Sequence, residues 1–143
     1  MRKIRTIILE DNQASQGILK YLLRSRNHEV IAYDNPSICP LQLTPDCRCN
    51  KNERCTDIII SDLNMPFVNG LEYIQNQRIK GCKCRSVALV SSELNSQVKK
   101  EADKLSCKVF SKPYNVSDIF NWLDDVEKHT DTDVNLSDWY TCN

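Results

Sequence analysis

Ile58-Ile59-Ile60-Ser61-Asp62-Leu63-Asn64-Met65-Pro66-Phe67-Val68-Asn69-Gly70 decides how the rest of the chain is read. It opens as a short β-branched run, the composition of a strand buried on both faces. It stops on an aspartate. The next residues are turn chemistry, with Asn64, Pro66, Asn69 and Gly70 in quick succession. Open α/β sheets carry their chemistry at the carboxyl ends of buried strands, where such a run opens into a tight loop. Asp62 stands at that place.

Working outward, the pattern alternates between short apolar runs and helical periodicity. Ile4 to Leu9 reads as a first strand, ending on Glu10-Asp11-Asn12. From Gln13 to Arg26 the residues Ile18, Leu19, Leu22 and Leu23 fall at helical spacing, with Ala14 one turn earlier and Asn12 as N-cap. Glu29 to Tyr33 is a second strand and Asp57 to Ser61 the third. Leu71 to Ile79 is a helix with Leu71 and Ile74 inward and Ile79 as a further candidate. Ser86 to Ser91 is the fourth strand. Asn95 to Leu105 is a polar helix with Val98, Ala102 and Leu105 on one side. Cys107 to Ser111 is the fifth strand. Val116 to Glu127 closes the series, with Val116, Ile119, Phe120, Leu123 and Val126 inward. Such alternation implies parallel βαβ units with right-handed crossovers.

One unit departs from this rhythm. Residues 35–56 carry Pro36, Pro40 and Pro45 together with Cys39, Cys47, Cys49 and Cys55. Prolines at that density oppose a regular helix, so the second helix is expected to be shortened or replaced by a Cys/Pro-rich loop. Residues 130–143 are polar and aperiodic, with Trp139 and Tyr140 near the end, and read as a flexible C-terminal tail. The domain is accordingly drawn over residues 1–129, with 35–56 as an insertion.

The bulk numbers narrow the class. A chain of 143 residues can bury a sizeable core. Nineteen basic and nineteen acidic residues cancel, which leaves no electrostatic footprint for nucleic acid. The basic N-terminus is followed by only a few apolar residues, too few for a signal-peptide core or a membrane span. The expected setting is cytoplasmic, with no membrane partner.

Eight cysteines are many for this length. Cys55, Cys82, Cys84 and Cys107 map to the sheet end opposite Asp62. Neither Cys47-Arg48-Cys49 nor Cys82-Lys83-Cys84 has the usual Cys-x₂-Cys zinc spacing. Separate thiols are the default reading; a structural Zn²⁺ and a disulfide are the lesser ones. His28 and His129 read as exposed and incidental.

In a parallel sheet all strands point the same way, so Glu10, Asp11, Asp62, Ser91 and Lys112 should gather in one crevice. Carboxylates packed together raise one another's pKa, and a hard cation such as Mg²⁺ or Mn²⁺, which takes oxygen ligands, resolves this. Asp62 can then act as an oxygen nucleophile toward a phosphoryl group. Lys112 supplies a mobile point charge and Ser91 a hydroxyl donor.

These residues resemble the receiver (CheY-like) domain of a two-component response regulator. The matching pieces are Glu10-Asp11, Asp62 to Pro66 with Gly70 closing the loop, Ser91, and Lys112-Pro113, over roughly residues 3–128. The resemblance implies a flavodoxin-like three-layer sandwich with strand order 2-1-3-4-5 and Asp62 as phosphoacceptor. It implies Mg²⁺ held by Asp11, Asp62 and the carbonyl of Asn64, with Glu10 acting directly or through water. It also implies a cis peptide before Pro113. The partners it implies are a sensor histidine kinase or phosphotransfer protein and a downstream protein target. Ser91 stands where the family often has Thr. Val109 occupies the position where it often has an aromatic switch residue, with Phe110 on the opposite face. Asn64 and Glu93 match positions that govern access of water to the phosphoryl group, and imply a short-lived modification.

The chain thus reads as a stand-alone signalling phosphoacceptor rather than an enzyme, apart from any chemistry on its own Asp62. An aspartyl-phosphate phosphatase would need a second carboxylate where Asn64 stands. A thiol- or metal-sensing module on the same scaffold is the alternative.

Overall fold

The computed structural model describes residues 1–34, 54–65 and 69–136. Among the described residues there are five strands: β1 (Arg5–Leu9), β2 (Glu29–Tyr33), β3 (Ile58–Asp62), β4 (Ser86–Ser91) and β5 (Lys108–Ser111). The described helices are α1 (Gln13–Ser25), α2 (Gly70–Ile79), α3 (Ser96–Lys104) and α4 (Val116–His129). All strand pairs are parallel and the order is β2-β1-β3-β4-β5, the flavodoxin-like arrangement. The Cys/Pro-rich segment that should shorten or replace a helix falls almost entirely in residues 35–53, outside the described residues, as do Pro66, Trp139 and Tyr140.

Each described helix starts on an asparagine. The side chains of Asn12, Asn69, Asn95 and Asn115 accept from the backbone N–H three residues on, at Ser15, Glu72, Val98 and Asp118. That satisfies one of the donors a helix start leaves open and fixes where each loop ends.

The two sheet faces are covered by different helices. On one face Ile7, Leu9, Ile59, Val87 and Leu89 pack with Leu71 and Ile74 of α2 and Ala102 of α3. On the other, Ile8, Ile58, Ile60, Ala88, Val90 and Phe110 pack with Leu19, Leu22 and Leu23 of α1 and Ile119, Leu123 and Val126 of α4. Consecutive residues of a buried strand serve opposite layers. This is why Ile58 to Ile60 can be apolar throughout. Phe110 packs edge-on against Trp122, with ring centroids 5.6 Å apart, while Val109 borders the opposite cluster.

Some inward assignments need correction. Ile18 and Ala14 face solvent, and Gln16 takes the buried place on α1. Its amide donates to the Glu10 carbonyl at 2.8 Å and to Asp34 at 3.2 Å, so the position is satisfied by hydrogen bonds. Ile79 and Val116 are exposed at helix ends. The segment after α4 is held as far as Leu136, which is buried. Arg2 donates to the carbonyls of Asp131 and Val134 and, in bidentate fashion, to Asp57 at 2.6 and 3.0 Å. Asp57 also accepts from the backbone N–H of Arg5. One buried carboxylate therefore ties the chain's first residues to the segment leading into β3.

His28 is the other correction: it is buried, not exposed. Nδ1 lies 3.1 Å from the Thr6 hydroxyl of β1, and Nε2 lies 3.4 Å from Glu127 of α4. Arg26 grips that same Glu127, and also Asp124. Burial pushes the His28 pKa below its ordinary 6.5, against the pull of Glu127 and Asp57 and with the help of Arg26. A lowered folded pKa means that stability is fully present above the unfolded value and is lost as pH falls below it. Unfolding midpoints should therefore decline between pH 7.5 and 5.5, and less so in His28→Gln. An equal decline in the variant would remove His28 as the cause.

Candidate functional site

Four loops at the carboxyl edge of the sheet build the site. Glu10 and Asp11 follow β1, Asp62 ends β3, Ser91 ends β4, and Lys112 follows β5. The register sets their heights: Leu9 pairs with Ser61, Asp62 with Val90, and Ser91 with Ser111. The β3 loop is pinned by Leu63 N–H to the Val90 carbonyl and Gly70 N–H to the Leu63 carbonyl, at 2.9 and 2.8 Å. Asp62 Oδ1 accepts from the Asn64 N–H at 3.2 Å, an Asx turn that orients the carboxylate.

Lys112 is the hub. Its ammonium donates to both oxygens of Glu10 at 3.0 Å and to Asp62 Oδ2 at 3.3 Å. These contacts match the three donors a lysine has. The peptide joining Lys112 to Pro113 is cis. Burial opposes the charge of Lys112, but its contacts with Glu10 and Asp62 outweigh that and raise its pKa. Glu10 is fully buried, and desolvation, joined by the Asp62 charge, raises its pKa despite Lys112 and the Asn12 N–H.

Glu10, Asp11 and Asp62 each present a carboxylate oxygen within 4.8 Å of the others, with Asp11 open to solvent. An all-oxygen donor set with one exposed member fits a hard divalent cation that keeps several waters, as Mg²⁺ does. Among the described residues this is the one group of three or more metal-ligating side chains. Cys55, Cys84 and Cys107 instead lie in the apolar cluster under α2 and α3, with Cys82 packed against it. Burial raises the Cys107 thiol to about 11, which makes it a poor thiolate ligand. Nothing at these positions supports a metal-sensing role. Cys39, Cys47, Cys49 and Cys142 lie outside the described residues.

Ser91 is buried, and the hydrogen bonds of its hydroxyl are with the backbone of its own loop. Its hydroxyl oxygen accepts from the Glu93 N–H at 3.0 Å and lies 3.4 Å from the Glu93 carbonyl. Asn64 and Glu93 are exposed. Val109 is half-buried against the α2/α3 face. The residue overlooked in the sequence is Gln16, whose buried amide donates to the Glu10 carbonyl at 2.8 Å.

No protein-family model matches the chain. The HemR receiver domain from Leptospira biflexa superposes with a TM-score of 0.73 at 18% identity, covering 90% of this chain and 98% of that one. The fold is that of a CheY-like receiver domain. A response regulator receiver protein from Pseudomonas putida gives 0.72 at 18% identity, covering 87% of this chain and 98% of its own. Chemotaxis protein CheY4 from Vibrio cholerae gives 0.64 at 17%, covering 87% and 99%. In sequence, the sensory/regulatory protein RpfC of Xanthomonas campestris is 22% identical over 134 residues, which is 91% of this chain. The chain spans 17% of that relative's length. No described helix of this receiver fold is long and apolar enough to cross a membrane.

Proposed function

We propose that this chain is a phosphoacceptor receiver of a two-component phosphorelay, taking a phosphoryl group onto Asp62. The observation that carries the reading is the bridge of Lys112 between Glu10 and Asp62 at the carboxyl edge of the sheet. A carboxylate oxygen of Asp62 attacks the phosphorus of a phosphohistidine on a sensor histidine kinase or phosphotransfer protein. The P–N bond breaks and the imidazole leaves with its electron pair, taking up a proton. Transfer of this kind needs little beyond alignment and neutralised charge.

Glu10, Asp11, Asp62 and the Asn64 carbonyl would hold Mg²⁺ or Mn²⁺, which supplies positive charge to the phosphoryl oxygens. Lys112, mobile on its aliphatic stem, moves its ammonium from Asp62 to a phosphoryl oxygen. Ser91 turns its hydroxyl away from the Glu93 backbone to donate to another. Asn64 and Glu93, on the exposed rim, govern the approach of water and keep the modification short-lived. Outward, the change reaches α3 and β5. A groove of about 810 Å³ there, lined by Lys99, Asp103, Val109, Trp122 and Asp125, is available to a downstream protein. The reading carries with it a cytoplasmic location beside the donor. It makes residues 1–129 the receiver unit, with 130–143 appended.

Intact mass after incubation with a small phosphodonor and Mg²⁺ tests this. Wild type should gain one phosphoryl group, and Asp62→Asn or the addition of a chelator should prevent it. An equal gain in Asp62→Asn would overturn the assignment.

A further inference from the structure

Gln16 lies on the buried stripe of α1, one turn before Leu19 and two before Leu23. An apolar side chain would suit that place, whereas a buried amide is unfavourable unless it is hydrogen-bonded. Gln16 is 4% exposed, and its Nε2 has an acceptor for each of its two hydrogens: the Glu10 carbonyl at 2.8 Å and Asp34 Oδ1 at 3.2 Å. Both partners only accept, which fixes the direction of the amide. Asp34, just past β2, also accepts from the Gln13 amide at 3.1 Å. Two glutamines in the first turns of α1 thus hold the ends of β1 and β2 together.

The Glu10 N–H still donates to the Tyr33 carbonyl at 3.1 Å, and past that bond the chain turns from β1 into α1. The Glu10 carbonyl belongs to the planar peptide that joins Glu10 to Asp11. Holding it therefore constrains the directions in which both side chains leave the backbone. Glu10 turns inward to Lys112 while Asp11 is open to solvent, yet both bring an oxygen within 4.8 Å of the other and of Asp62. The Asn12 N–H closes the turn on Glu10 Oε1 at 3.2 Å. We infer that Gln16 is a positioning residue of the acceptor site: by holding the Glu10 carbonyl and Asp34 on one nitrogen, it sets the Glu10–Asp11 peptide so that both carboxylates meet Asp62. The inference rests on the reading of Asp62 as phosphoacceptor. It also gives Asp34 a part in the site, because that carboxylate aims the amide.

The test uses the full chain in high salt, where the charge of the exposed Asp34 is screened. Gln16→Met keeps the length of the side chain and removes both donors. It should weaken Mg²⁺ binding to the unphosphorylated protein, measured by calorimetry, about tenfold, the lower end of what losing a group behind a ligand does. Without Mg²⁺, the Asn12 amide should exchange with solvent about fivefold faster, the factor of one hydrogen bond. Uptake from phosphoramidate at saturating Mg²⁺ should stay within about threefold of wild type, since the loss lies in binding and not in transfer. Asp34→Ala, a surface change, should weaken Mg²⁺ binding about threefold. The double variant should bind no more weakly than Gln16→Met alone, because Asp34 acts through the amide. An unchanged Mg²⁺ constant in Gln16→Met or in Asp34→Ala, or additive losses in the double variant, would each overturn the assignment while leaving Asp62 as acceptor. No uptake by wild type, or uptake by Asp62→Asn, would overturn the phosphoacceptor reading and this one with it.

Discussion

Lys112→Met is expected to lower folding stability by about 3 kcal/mol at pH 7, the cost of leaving a buried carboxylate without its cation. For a chain of this length that corresponds to a fall of about 10 °C in melting temperature. The methionine keeps the aliphatic volume, so packing is not the cause. Glu10 is the source, since it is fully buried and both its oxygens rest on the Lys112 ammonium. The pH dependence distinguishes this from a generic loss. Desolvation already raises the Glu10 pKa above 4.5, and Lys112 holds it down. Without Lys112 the folded value rises further. A carboxyl group with a raised folded pKa stabilises the protonated fold. Stability is then greatest below the unfolded value and falls as pH climbs through 4.5 toward the folded one. The variant's deficit should therefore be large at pH 7.5 and small near pH 5. Thermal unfolding at the two pH values checks this, and an equal deficit at both would show that Glu10 is not the stranded charge.

The same residue shows how far the sequence could be read. That Glu10, Asp62 and Lys112 would share a crevice followed from strand direction alone, since each terminates a parallel strand. Which of them Lys112 would hold did not follow. The partner is chosen by burial: Glu10 is more enclosed than Asp62 and takes two of the three contacts. Ser91 was legible as a hydroxyl at the end of β4, but not as a group turned toward Glu93, because that depends on a rotamer. Its resting partner is the backbone of its own loop.

Elsewhere, periodicity served well where one face was apolar and poorly where a polar residue was satisfied inside. Gln16 is buried because it finds Glu10 and Asp34, and Ile18, two residues on and so on the other side of α1, is exposed. His28 and Asp57 were not legible for a similar reason. Their partners, Glu127 and Arg2, lie 99 and 55 residues away in sequence. A polar side chain's burial depends on such distant partners, whereas an aliphatic one declares itself by type. Of the capping asparagines, whose partners are only three residues away, Asn12 was read as a cap from the sequence, while Asn69, Asn95 and Asn115 were not.

Gly70→Ala is the second change with a large expected effect, and its sign is informative. Alanine is ordinarily better than glycine in a helix by up to about 1 kcal/mol. Gly17 in α1 meets that condition, since an added Cβ there has no neighbour within 4 Å. At Gly70 the added Cβ would lie 2.5 Å from the Asp62 carbonyl oxygen, 2.9 Å from Leu89 Cδ2 and 3.1 Å from Leu63 Cα. Two of those atoms belong to the backbone of the strand and loop that carry the acceptor, and Leu89 is fully buried. None can move without shifting β3 against β4 or opening the Leu63–Gly70 hydrogen bond. The expected outcome is a loss of about 3 kcal/mol, at the upper end of what overpacking costs. Gly17→Ala should be neutral or stabilising. Denaturant midpoints of the two variants give the comparison. The site should fail with the fold, because the strain enters through Asp62 itself: phosphoryl uptake by Gly70→Ala should fall even under conditions where the variant remains folded. A Gly70→Ala protein as stable and as reactive as wild type would mean that α2 does not press on the acceptor loop. Close contact between helix start and strand end would then have no part in holding Asp62.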